Sequence, residues 1–162
     1  MWSLNKTHQV GELIAAIAVV IFLVFVGLQV RDNTIASEAA TLQNSVGYDI
    51  ELLTDLSANP DLARAFTAYL IGDIEELDET ELIQARWHYV AILRHLENLY
   101  FQHEAGILSD EVWATREPLI LNNIRSAGFG LFLNSSNARG FNGQFIDYAI
   151  QARVDGENEA DD

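Results

Sequence analysis

From Leu13 to Val30 the chain reads LIAAIAVVIFLVFVGLQV, a stretch with no charge and one late glutamine. A helix of that length spans about 27 Å, close to the hydrocarbon thickness of a bilayer. A buried core helix keeps a polar stripe, which this stretch lacks. A cleaved signal peptide has a shorter apolar core followed closely by a small-x-small site. Here Arg31-Asp32-Asn33 follows, and the nearest triplet of that kind, Ser37-Glu38-Ala39, lies far out. The stretch is therefore read as an uncleaved transmembrane helix.

Beyond it, Ile35, Ala39, Leu42, Val46, Ile50, Leu53 and Leu56 recur at steps of three and four, the signature of an amphipathic helix. No glycine or proline separates Val30 from Ile35, so one helix is expected to leave the bilayer and continue until Asn59-Pro60 ends it. A short helix from Pro60 to about Leu70 follows, then an acidic connector opened by Gly72. The longest soluble helix is predicted from about Asp78 to Ala105, with Asp78 and Glu81 as a capping box and Gly106 as its stop. Ser109 starts another helix, which Pro118 is expected to end or kink, and the pattern resumes from Leu119 to Arg125. The glycine- and asparagine-rich segment from Gly128 to Gly143, around GFGLFL, reads as a structured loop. Asn142 caps a last helix, and DGENEADD reads as a disordered acidic tail. With no strand alternation the fold class is all-α: a tail (1–12), a transmembrane helix (13–30), a membrane-proximal amphipathic helix (31–58), a helical domain (59–154) and the acidic tail (155–162).

Charge narrows the partners. The chain carries 24 acidic and 9 basic side chains, a formal net charge of −15. Such a surface repels phosphate backbones and disfavours docking on anionic lipid. Nucleic acid is excluded as a partner, and the lipid bilayer is engaged through the apolar helix. Cysteine is absent, which rules out disulfides, thiol catalysis and cysteine metal sites. His88 and His95 are two helical turns apart, about 10 Å, too far to share an ion, and are expected to face solvent. There is no Glu-x-x-His pair, no phosphate loop and no Gly-x-Ser-x-Gly. No catalytic, cofactor-binding or metal residue is therefore assigned, and an enzyme is not expected.

On the long helix, Gln84, His88, Ala91, His95, Asn98 and Gln102 share one narrow arc, read as the solvent face. Nearly all the rest is apolar, interrupted by Arg86, Arg94, Glu97 and Glu104. Arg94 and Glu97 are spaced to pair across one turn. Arg86, Arg94, Glu97, Asn98 and Glu104 thus form the candidate cluster, either an internal salt bridge or a ligand contact, with the salt bridge preferred.

The segments GELIAAIAVVIFLVFVGLQVRDNT and RHLENLYFQHEAGILSDEVW carry a resemblance. Gln29, Arg31, Asn33 and Thr34, then Arg94, Leu96-Glu97-Asn98, Gly106 and Trp113, are similar to positions shared by a widespread family of small bacterial single-pass membrane proteins without assigned activity. After Pro118 the chain departs from that pattern. The resemblance implies a bacterial inner-membrane protein with a helical domain. Lys6 and Arg31 place one cation on each side of the apolar helix, so charge does not orient it. The short N-terminal tail is easily translocated and the resemblance points the same way, which puts the domain in the cytoplasm. The stripe from Ile35 to Leu56, with Gly11, Ala15 and Ala18 on one anchor face, predicts a membrane-tethered interaction module that forms a homo-oligomer or recruits a membrane protein partner. The alternative is a small-ligand sensor or enzyme with a pocket around Arg94 and Glu97.

Overall fold

In the computed structural model the described residues are 2–160 along the backbone, and 9–156 with 158 for side chains. Among them the chain is all-α: α1 (Trp2–Ala58), α2 (Pro60–Ile71), α3 (Glu79–Glu104), α4 (Asp110–Arg125), α5 (Ala127–Leu133) and α6 (Gly143–Ala160), with a 3₁₀ turn at Ser136–Gly140. The chain divides into two compact units, Met1–Ala40 and Thr41–Asp162.

The first unit is the leading part of α1, helical from Trp2 and so including the expected N-terminal tail. Large apolar side chains from Leu13 to Val30, Val26 apart, stand 51–64% exposed on it. Burying one such side chain is worth about 1.5–3 kcal/mol, so the unit has a strong demand for an apolar surrounding. By length and composition this helix is able to cross a membrane.

In the second unit the helix ends follow local chemistry. The Asn59 side chain accepts from the Leu62 N–H at 3.2 Å, with Pro60 in the first turn where its missing N–H costs nothing. Gly72 closes α2 with φ 83°, a left-handed conformation that a Cβ would disfavour. Asp78 and Glu81 form the expected capping box, at 2.8 and 3.0 Å. The Ser109 hydroxyl accepts from the Val112 N–H to open α4.

Three elements differ from expectation. Pro118 does not end α4, which continues through it to Arg125. GFGLFL is helix α5 rather than loop, with Gly128, Phe129 and Phe132 buried. Glycine lowers intrinsic helix propensity, but packing overrides it here. A Cβ on Gly128 would stand 3.1 Å from a Tyr69 ring carbon and 3.2 Å from the Tyr69 carbonyl oxygen, so the glycine is what lets α5 approach α2. The turn between α4 and α5 is held by the Tyr89 hydroxyl, donating to the Asn123 carbonyl at 2.9 Å, and by Arg153, donating to the Ser126 carbonyl at 3.0 Å. At the far end α6 stays helical through Ala160, past the start of the expected acidic tail. The core joins Ala65 and Tyr69 of α2, Tyr89 and Leu93 of α3, Ile120 and Ile124 of α4, Phe129 and Phe132 of α5, and Phe145 and Ala149 of α6.

Candidate functional site

Arg94 and Glu97 do pair. One Arg94 guanidinium nitrogen donates to Glu97 Oε2 at 2.7 Å and the other to the Gly140 carbonyl at 2.8 Å. The second Glu97 oxygen accepts from the Asn142 backbone N–H at 2.7 Å. The Arg94 guanidinium carbon also lies 3.8 Å from the centre of the Phe141 ring, a cation–π contact. The pair therefore clamps residues 140–142, the approach to α6, where the Asn142 side chain accepts from the Gln144 N–H. Glu97 is 9% exposed, yet each of its oxygens has a charge-assisted or backbone partner, which is the condition for burying a carboxylate.

The other members of the candidate cluster lie elsewhere. Arg86 reaches Tyr69, whose phenol is raised first by burial while Arg86 opposes the shift. Asn98 is exposed and borders a cleft with Ser45, Tyr48 and His95. Glu104 is exposed near Tyr100, which is raised by burial and then by that carboxylate. The five residues do not form one site.

A second polar centre appears on the arc of α3 that the pattern assigned to solvent. That assignment is corrected for the histidines: His95 has a side chain only 10% exposed, and His88 Nε2 is buried without a hydrogen-bond partner among the described residues. The reason is the later part of α1, whose own polar residues meet this face. Ser45 Oγ lies 3.2 Å from His95 Nε2, Tyr48 stacks on the imidazole with centroids 4.4 Å apart, and Asp49 lies 3.5 Å from Nε2. Arg116 of α4 donates to the other Asp49 oxygen at 2.8 Å. A polar face covered by polar residues reads locally as a solvent face. The signal that could have revealed it is a second face of α1, where Ser45, Asp49 and Leu52 align with Leu56, the last residue of the stripe.

Serine, histidine and aspartate together suggest a nucleophile, base and orienting acid. The geometry does not support that assignment: Ser45 and Asp49 both approach the same ring nitrogen, whereas a relay needs them on opposite nitrogens. Ser45 is also 3% exposed. Among the described residues no three histidines or carboxylates are grouped to hold a metal ion.

The imidazoles have a consequence for stability. Burial pushes His95 below its ordinary value; Asp49 opposes this and Arg116 adds to it. Burial lowers His88 likewise, with Asp55 opposing. As pH falls below about 6.5, the unfolded chain takes up protons that these two folded imidazoles still refuse, so stability falls. The urea midpoint of the full chain in mild detergent is expected to be lower at pH 5.5 than at pH 7.5, and replacing both histidines with glutamine should reduce the histidine part of that difference. An unchanged difference in the double variant would contradict the assignment.

Compared with protein-family models, curated proteins and solved structures, the chain matches none.

Proposed function

We propose that this chain is a membrane-tethered helical module that works by association rather than catalysis, pairing with a second copy of itself through α1. The observation that carries this reading is an apolar face of α1 that its own fold leaves uncovered. At 100° per residue Val46, Ile50 and Leu53 fall within an arc of about 60°. Ser45, Asp49, Leu52 and Leu56 occupy another arc, roughly 100° away, and it is this second arc that meets α3 and α4. Val46, Ile50 and Leu53 remain 42, 59 and 64% exposed. Apolar residues at steps of three and four on a long helix are what a parallel helix pair buries. A tether suits this arrangement, since two copies anchored in one bilayer meet at high effective concentration and in the same orientation.

The closed Arg94–Glu97 clamp, held to the backbone of Gly140 and Asn142, supports a scaffold role for that pair rather than a ligand pocket around it. The apolar helix and the resemblance together support a bacterial inner-membrane location with a single span and a cytoplasmic helical unit.

In mild detergent the full-length protein is expected to sediment as an oligomer. Ile50→Lys should weaken association by about tenfold or more, because burying one such aliphatic side chain is worth about 1.5–3 kcal/mol. Glu51→Lys, one residue along, should leave it unchanged. A strictly monomeric wild type over a wide concentration range would overturn the reading.

A further inference from the structure

The helical unit contains a cavity of about 360 Å³ whose wall includes Leu52, Leu56, Phe66, Ile92 and Leu96. Leu53 and Leu119 also border it and are exposed, so it opens to the surface there. Its polar lining is Asp49, which contacts both His95 and Arg116, together with His88 and Asn123. Protein cores leave few voids larger than a water molecule, whereas ligand pockets run from about 300 to 1,000 Å³. His88 borders the same space with a buried, unpartnered Nε2, and such orphan polar atoms are rare in a finished core.

We propose that this cavity is a binding site for a small uncharged molecule with an apolar body and one hydroxyl or carbonyl group. The wall sets the apolar body. The ion pair sets the charge. Asp49 already neutralises Arg116 at 2.8 Å, so a charged ligand would leave one charge uncompensated beside an apolar wall. Arg116 offers a fork of five N–H donors, of which one carboxylate takes at most two, leaving donors for a neutral ligand oxygen. The wall belongs to one chain, and Leu53 at its opening is shared with the exposed face of α1.

The test uses full-length protein in lipid nanodiscs and two probes of similar shape, 4-fluorophenol and fluorobenzene, followed by fluorine NMR. Wild type should bind 4-fluorophenol about tenfold more tightly than fluorobenzene, the scale of one hydrogen bond. Ile92→Trp and Leu56→Trp, on different helices, fill the cavity and should each abolish binding of both probes while circular dichroism remains helical. The charge-balanced double variant Asp49→Asn with Arg116→Gln should keep fluorobenzene binding and lose most of the preference for the phenol. Failure of wild type to bind either probe would overturn the proposal. So would undiminished binding in both folded tryptophan variants, which would place the probes in the lipid. Equal affinity of wild type for the two probes would overturn the assignment of a polar recognition group.

Discussion

Phe132→Ala is expected to lower the unfolding free energy of the helical unit by about 3–5 kcal/mol. The side chain is fully buried, packs edge-on against Tyr89 and Phe141, and stacks with Phe129 at 5.9 Å between centroids. Its removal leaves a cavity where α3, α5 and the approach to α6 meet, and rings held on several sides collapse poorly into such space. The measurement is urea unfolding of the full chain in mild detergent, followed by circular dichroism, beside the exposed control Ser136→Ala. The control should change stability by at most about 0.5 kcal/mol. A Phe132→Ala variant as stable as the control would remove α5 from the core.

Glu97→Ala is the second large effect, at about 3 kcal/mol. It leaves the Arg94 guanidinium without its carboxylate and the Asn142 N–H without its acceptor, loosening the approach to α6. Arg94→Ala should cost less, about 2 kcal/mol, because its side chain is 47% exposed and water replaces part of what it loses. The double variant should lose clearly less than the sum, since each single change already removes the shared bond. Strictly additive losses in the same unfolding assay would show that the two residues do not act as one clamp.

These two predictions mark where the sequence was legible and where it was not. The Arg94–Glu97 pair could be read because both residues sit on one helix at a spacing that brings side chains together. The caps at Asn59, Asp78 and Glu81 were legible for the same reason: their partners lie within three residues. Phe132 was hidden among glycines and asparagines, whose intrinsic preferences favour turns, while the packing that makes α5 a helix comes from Tyr69 and Tyr89, far off in the chain. The Asp49–His95–Arg116 centre was hidden by separation too. Its members come from three helices, and a polar face that meets another polar face leaves the same pattern as one that meets water. The stripe on α1 was visible from periodicity, but its environment was not. Only the fold shows that the unit packs the neighbouring face of α1 and leaves Val46, Ile50 and Leu53 outside.

Self-association through that stripe is tested most directly by a single-cysteine scan along α1 in native membranes. The chain has no cysteine, so each variant carries one thiol and any disulfide joins two copies. A disulfide needs Cα atoms about 4.4–6.8 Å apart, which restricts it to residues facing their own counterparts across a parallel pair. Cysteine at Val46, Ile50 and Leu53 should give covalent dimers on mild oxidation, and cysteine at Gly47, Glu51 and Thr54, one residue along in each case, should give little. Dimers peaking at the second set, uniform along the helix, or absent throughout would contradict the account.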